Sequence, residues 1–293
     1  MRWLAIFALV LAAHGQTLQD RLKSRIAGFH GTVSLYAKNL DTSAVVDIHG
    51  SDPVRTASTI KLPILCAVFD AVARGQAKWT EPLTVTAAQK VNGSGVIGTE
   101  LSDGVQLPLQ DVVHLMIVLS DNTATNMVLE RFGADSVNAY LDKIGIKTTR
   151  SLRKILGAAD PGISAAGKLP ENEKFGLGKS SPRDMATILE RLERGEIVSP
   201  EASREILAIL KRCQDNTGIR RHLMASRIVN KSGALDALRS DVGIVYEKSG
   251  PIVMAITVDG MPKPDWSPDN PGALLIADLA RMLVEGLAGP VKN

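Results

Sequence analysis

Three short groups of polar residues could together open an amide or an ester. Ser58-Thr59-Ile60-Lys61 places an amine three residues after a hydroxyl. A serine hydroxyl is a poor nucleophile until a base takes its proton. At the start of a helix, positions i and i+3 share a face, so the spacing predicts that Lys61 brings its amine beside Ser58. A lysine that is buried and near another cation loses its charge closer to neutral pH, which makes it a base. The N–H groups of a helix start also suit a developing oxyanion. Ser120-Asp121-Asn122 offers a second hydroxyl to relay a proton to a leaving nitrogen, and a carboxamide to bind an amide or orient a lysine. Lys231-Ser232-Gly233 offers a cation for an anionic substrate and a glycine that allows close approach. The N–H of Ala234 follows at once and could complete an oxyanion hole.

Each group has an ordinary reading as well: Ser120-Asp121-Asn122 is a serviceable polar cap for the helix after it. Two also have a second copy, and the surrounding elements separate the copies. Ser58 opens a long apolar segment with helical spacing to Gly75, whereas Ser151-Leu152-Arg153-Lys154 lies in a basic stretch without an apolar face. Lys231 ends the β-rich run Arg227-Ile228-Val229-Asn230, whereas Lys248-Ser249-Gly250-Pro251 reads as a hairpin turn between strands. Strands are expected at Thr32–Lys38, Ala44–His49, Arg227–Lys231, Asp241–Glu247 and Ile252–Asp259. Helices are expected from Leu109 to Leu119, from Thr123 to Phe132, after Ser181-Pro182, after Ser199-Pro200, and from about Gly272 to Leu287. Two strands at the start, three near the end and a last helix make one lobe; the helices between make another. The fold class is α+β, with a cleft where the lobes meet.

The order of the three groups, about 60 and then about 110 residues apart, resembles the class A serine β-lactamases and their penicillin-binding relatives. Ser120-Asp121-Asn122-Thr123-Ala124-Thr125-Asn126 is similar to that family's extended loop-and-helix sequence. Ser180-Ser181-Pro182-Arg183-Asp184-Met185-Ala186 is similar to the helix start after its omega loop. The resemblance covers roughly residues 20 to 288. It implies a two-lobed fold, with a five-stranded antiparallel sheet lobe carrying the terminal helices (about 16–52 and 203–293) and an all-helical lobe (about 53–202). It further implies that Ser58 is acylated, that Lys61 and Ser120 handle protons, and that Asn122, Lys231, Ser232 and Ala234 bind substrate, with the N–H groups of Ser58 and Ala234 on the oxyanion. No cofactor and no metal are implied, and the partner is a small molecule, either a β-lactam or an acyl-D-Ala-D-Ala-like substrate, acted on by a monomer. An arginine to meet a substrate carboxylate would be Arg220, Arg221 or Arg239.

One part of the family pattern is missing. Class A enzymes carry Glu-x-x-Leu-Asn on the omega loop, where the Glu directs water at the acyl-enzyme; the segment Lys147–Lys179 has no such motif and is longer by several residues. Glu171 is the candidate for that role, with Glu173 beside it and Asp160 more remote. Without a deacylating carboxylate the acyl-enzyme persists. A D-Ala-D-Ala-type carboxypeptidase, an esterase or a slow-turnover penicillin-binding protein is therefore the alternative to β-lactam hydrolysis.

The rest of the sequence narrows the classes further. Of 293 residues, 45% are hydrophobic and 22% charged, as in ordinary globular chains. The net charge of +3 includes no Lys/Arg run of the kind that binds phosphate backbones, which argues against nucleic acid. Met1-Arg2, the apolar run Trp3–Ala13 and Ala13-His14-Gly15 read as a cleavable export signal over residues 1–15, too short to span a bilayer. The mature domain, 16–293, is then periplasmic or secreted. The 5 histidines lack His-x-His or His-x-x-x-His spacing, which disfavours a zinc enzyme. Cys66 and Cys213 could pair after export, but otherwise read as small apolar residues.

Overall fold

The structure is a computed structural model and describes residues 16–223 and 227–289. The expected export signal, 1–15, lies outside the described residues. The chain opens with α1 (Leu18–Ala27), then the hairpin β1 (Thr32–Asn39) and β2 (Val45–Ile48). The Asn39 carboxamide shapes that turn by accepting from the N–H groups of Asp41 and Thr42. A short β3 (Val54–Arg55) leads through a 3-10 turn, Ala57–Ile60, into α2 (Lys61–Ala73). The helical part continues with β4 (Pro82–Thr84), α3 (Ile97–Glu100), β5 (Gln106–Pro108), α4 (Leu109–Val118), α5 (Asn122–Phe132) and α6 (Ala134–Lys143). Next come β6 (Arg150–Ser151), a long loop, β7 (Gly178–Ser180), α7 (Pro182–Glu193) and α8 (Pro200–Leu210). The chain ends with β8 (Arg227–Leu235), β9 (Leu238–Glu247), β10 (Gly250–Asp259) and α9 (Pro271–Leu287).

Helix starts follow local chemistry. The hydroxyl of Ser181 accepts from the Asp184 N–H at 3.1 Å, and that of Ser199 from Ala202 at 3.1 Å, each with proline at the first helical position. Lys248 and Ser249 form the turn between β9 and β10, closed by Gly250 at φ +119°, a conformation that favours glycine.

The principal sheet has the order β2-β1-β10-β9-β8, with every pairing antiparallel. Both of its faces are covered, which explains why its inner strands read as nearly continuous apolar runs. Alternate residues of β10 divide between two cores: Ile252, Met254, Ile256 and Val258 pack with α1 and α9, while Val253 and Ala255 pack with the helices on the other side. Leu275, Leu279 and Leu283 of α9 are fully buried in the first core. Each such side chain contributes about 1.5–3 kcal/mol. α7 covers the opposite face against β1 and β10. β8 is an edge strand, and its outer side lies against the Ala57–Ile60 turn. β8 and β9 run further than the sequence suggested, to Leu235 and from Leu238, so that Gly233 and Ala234 belong to the strand. Cys66 and Cys213 are both free and buried.

Candidate functional site

Ser58 sits in the 3-10 turn rather than in the first turn of an α-helix, and Lys61 is the first residue of α2. A 3-10 turn has three residues per turn and stacks i over i+3, so Lys61 follows Ser58 on one side of the chain. Ala57, just before the serine, is held at φ +46°, a strained conformation for a residue with a Cβ. The turn is pinned by the Thr56 hydroxyl donating to the Gly178 carbonyl at 3.0 Å and the Thr59 hydroxyl donating to the Thr56 carbonyl at 2.7 Å.

The Lys61 ammonium donates to the Ser120 carbonyl at 2.6 Å, the Asn122 side-chain oxygen at 3.1 Å and the Ser120 hydroxyl at 3.2 Å. The Ser58 hydroxyl is not among its hydrogen-bond partners. Lys231 reaches the same Ser120 hydroxyl from the sheet at 3.1 Å and also donates to the Ser232 carbonyl at 2.7 Å. Two lysine side chains thus donate to one hydroxyl, whose own proton is left to point elsewhere. Ser120 has φ +54°. Its neighbour Asp121 fixes this corner by capping α5 at the Ala124 N–H (2.8 Å) and taking the N–H groups of Val96 (2.7 Å) and Ile97 (2.9 Å) from a separate loop.

Both lysines are 0% exposed. Burial, reinforced by the nearby charge of Lys231, holds the Lys61 amine well below the usual lysine range. Burial also lowers Lys231, although Asp215 and Asp241 pull it back toward the charged form. Among the described residues, no carboxylate lies within ion-pair distance of Lys61, so its charge is opposed by desolvation without a direct counterion.

A cleft of about 770 Å³ opens beside these groups and is lined by Ser58, Ser120, Asn122, Ser232 and Ala234. Lys61 and Lys231 stand buried behind it. Gly233 shows why that corner of β8 needs a residue without a side chain. A Cβ there would lie 2.8 Å from the Thr56 carbonyl, 2.9 Å from the Ser58 nitrogen and 3.0 Å from the Thr59 nitrogen, all of them backbone atoms that cannot swing away. Gly233→Ala is expected to push β8 off the turn, lowering kcat/KM about 10²-fold and stability by about 1–3 kcal/mol. Steady-state kinetics and thermal unfolding on one preparation would check both.

Several sequence expectations end elsewhere. Glu171 and Glu173 share the 3-10 turn Pro170–Phe175, where residues two apart point in different directions. Glu171 is exposed and does not line the cleft; Glu173 does. Arg220 and Arg221 do not line the cleft, whereas Arg239 lines an adjoining pocket with Asp215, Ser232 and Ala234, and each of the three is engaged. Arg220 holds the Asn230 side chain and the carbonyls of Lys211 and Ile228. Arg221 holds Pro268 and Asp269. Arg239 donates to the carbonyls of Leu235, Leu238 and Asp265 beneath the Trp266 ring. Lys154 of the second Ser-x-x-Lys faces Glu130 and Asp160, and its Ser151 is buried in β6. Two acids that no motif signalled flank the third group: Asp215 lines the cleft beside Ser232, and Asp241 is buried behind it. Among the described residues, no group of three or more His, Cys, Asp and Glu is disposed to hold a metal, and no helix is long and apolar enough to cross a membrane.

The chain has known relatives in sequence and fold. The sequence pattern of the β-lactamase enzyme family matches residues 17–287. β-Lactamase CARB-3 of Pseudomonas aeruginosa is 24% identical over 270 residues, which is 87% of this chain and 89% of the relative. The crystal structure of a β-lactamase from Sphaerobacter thermophilus is 29% identical with a TM-score of 0.78, covering 92% of this chain and 96% of its own. PBP-A is 30% identical with a TM-score of 0.77, covering 92% and 94%. A leucine-to-glutamate variant of PBP-A, an acyl-enzyme complex with penicillin G, is 31% identical with a TM-score of 0.78 over 92% and 95%. With the fold, the converging lysines and a family match over nearly the whole described chain, this protein belongs to the β-lactamase enzyme family.

Proposed function

We propose that the protein is an exported serine hydrolase that opens β-lactam rings through an acyl-enzyme on Ser58. The observation that carries the reading is the convergence of two fully buried lysines, Lys61 and Lys231, on the Ser120 hydroxyl at the back of the cleft that Ser58 lines. In the first step the Ser58 oxygen bonds to the lactam carbonyl carbon while its proton passes to the neutral amine of Lys61. The oxyanion is met by the N–H groups of Ser58 and Ala234. Collapse breaks the carbon–nitrogen bond, and the leaving nitrogen takes the proton of the Ser120 hydroxyl while Lys61 passes the proton it took from Ser58 on to the Ser120 oxygen, so that both groups return to their starting states. Water then cleaves the ester and restores Ser58. Asn122 holds Lys61 in place, and Lys231 and Ser232 face the leaving side. The apolar run of residues 3–13 behind Arg2 supports export.

Deacylation is the step on which a second reading turns. No carboxylate pairs with Lys61 among the described residues, and this favours slow release, as in a penicillin-binding protein, a D-Ala-D-Ala-type carboxypeptidase or an esterase. Glu173 is the omega-loop carboxylate on the cleft, and the deacylating role expected of Glu171 passes to it. Glu173→Gln is expected to lengthen the life of the adduct about tenfold or more, while Glu171→Gln leaves it within about twofold.

Intact-protein mass spectrometry during incubation with a penicillin, beside a chromogenic cephalosporin assay, tests the reading. A transient adduct with rapid turnover supports a β-lactamase, and a lasting adduct supports the slow-release alternative. Absence of both defeats the β-lactam reading and leaves simple esters to be tried.

A further inference from the structure

A guanidinium cannot shed its charge, so an arginine that loses water on folding normally finds a carboxylate or carbonyls to replace it. Of the described arginines that are not exposed, all but one do so. Arg55 holds Asp259, Arg150 holds Asp142 and Arg191 holds the Ile144 carbonyl, while Arg220, Arg221 and Arg239 hold the groups named above. Arg153 is the exception. It is half-buried on the wall of the cleft that Ser58 lines, yet among the described residues its side chain makes no hydrogen bond, ion pair or ring contact.

The main chain holds this residue in place. Leu152 donates its N–H to the Leu177 carbonyl at 3.0 Å and Lys154 donates to the Pro161 carbonyl at 2.9 Å, so Arg153 stands between two pinned neighbours. Its guanidinium lies over Gly176, where a Cβ would be 3.7 Å from Nη2; this glycine, at φ +67°, closes the turn that bears Glu173. The other cations on the cleft wall are differently placed. Arg55 is bound by Asp259, and Lys154 by Glu130 and Asp160. Lys174 is exposed, rests 5.2 Å from the centre of the Phe175 ring and has no carboxylate within ion-pair distance among the described residues. Glu173 is the acid on this stretch of wall, and it stands beyond ion-pair distance of both Arg153 and Lys174. The unpaired charge contributed by the loop between β6 and β7 is therefore net positive. The adjoining pocket around Ser232 and Ala234 takes none of its lining from this loop, which sets Arg153 apart from the leaving side.

We propose that Arg153 is a specificity-determining residue that binds a carboxylate on the acyl side of the substrate, so that the cleft favours acyl groups carrying an anion away from the scissile bond. A carboxylate there takes two parallel N–H bonds from the guanidinium fork and supplies the partner that the fold does not. Lys174, being exposed, adds a weaker and salt-screened attraction. The anion expected at Lys231 and Ser232 is a separate one, so a preferred substrate carries a carboxylate at each end. The inference rests on the reading of Ser58 as the acylated residue.

The test uses a penicillin with a glutaryl side chain, and the same compound with that side-chain carboxyl as its methyl ester; ring and ring carboxylate are alike in both. Ser58 acylation by each is followed by intact-protein mass spectrometry, and the readout is the ratio of the two rates. In the wild type the acid is expected to acylate about tenfold faster than the ester, the effect of one charge-assisted pair. In Arg153→Met that ratio is expected to fall to about one, and in Arg153→Lys to a value between, because an ammonium keeps the charge and loses the fork. Equal rates in the wild type, or a preference that Arg153→Met leaves unchanged, overturn the inference while the Ser58 adduct stands. Rates that fall together at a constant ratio assign Arg153 to the shape of the loop and overturn it as well. If Arg153→Met does not fold, the wild-type ratio and Arg153→Lys decide. No adduct from either compound overturns the acyl-enzyme reading and this inference with it.

Discussion

Ser58→Ala is expected to lower kcat/KM for a chromogenic β-lactam by at least about 10⁴-fold and to abolish the covalent adduct. The size follows from what remains. Without the hydroxyl no ester intermediate can form, and the cleft retains only binding and whatever donors face the carbonyl, which in other hydrolases leave a residual 10³–10⁴-fold over water, roughly. The fold should be preserved. Ser58 lies in a turn whose pins are the hydroxyls of Thr56 and Thr59 and the approach of Gly233, none of which uses the serine side chain. The thermal midpoint is therefore expected to stay within a few degrees of the wild type. Steady-state kinetics, mass spectrometry and calorimetry on the same two proteins would check the three statements. An adduct surviving in Ser58→Ala would move the nucleophile elsewhere, with Ser120 and Ser232 the hydroxyls to examine. A large loss of stability would instead make the kinetic loss uninformative about chemistry.

What the sequence conveyed of this site depended on how local each device is. The caps at Ser181 and Ser199 were readable because a serine, a proline and the next turn's N–H are all fixed within four residues. The three polar groups were readable because the chemistry constrains the residue types within each one. The partners that join them were not. That the Lys61 and Lys231 amines meet on one hydroxyl depends on the packing of α2, the corner before α5 and an edge strand more than a hundred residues away. Asp215 carries no motif, since it reaches Ser232 only after α8 has delivered the following loop against β8. The choice between Glu171 and Glu173 turned on the phase of a 3-10 turn, which a sequence with two glutamates two residues apart does not encode in its pattern. The extension of β8 through Gly233 ran against the low strand preference of glycine; here the close approach to the Ser58 turn overrides propensity. The cysteines remained ambiguous for a similar reason, because pairing depends on a distance between two elements and not on spacing.

Lys61→Met is expected to reduce kcat/KM by about 10³-fold or more while making the protein more stable at neutral pH. The kinetic loss is that of removing the group that takes the Ser58 proton. The gain in stability follows from burial. Lys61 has no counterion among the described residues, and its amine in the folded state binds its proton less tightly than in the unfolded chain. Between the lowered folded value and the unfolded value of about 10.4, the unfolded state binds more protons, so stability rises with pH across that window. Below the window the full penalty of burying the lysine is felt; near its upper end the penalty has vanished. Methionine is of similar length, fills the same space and carries no charge. What it loses are bonds to the Ser120 carbonyl and hydroxyl and to Asn122, and both of those residues line the cleft, where water can take its place. Desolvation therefore outweighs the lost hydrogen bonds, by about 1–3 kcal/mol at pH 7, or a rise in Tm of roughly 2–10 °C for a chain of this size. The gain should shrink steadily as pH is raised toward 10. Calorimetric scans of both proteins from neutral pH upward to about the unfolded lysine value of 10.4 would read it directly. A constant difference across that range would mean that Lys61 stabilises or destabilises by shape alone. A variant less stable at pH 7 would mean that its three hydrogen bonds outweigh the cost of burying an uncompensated amine.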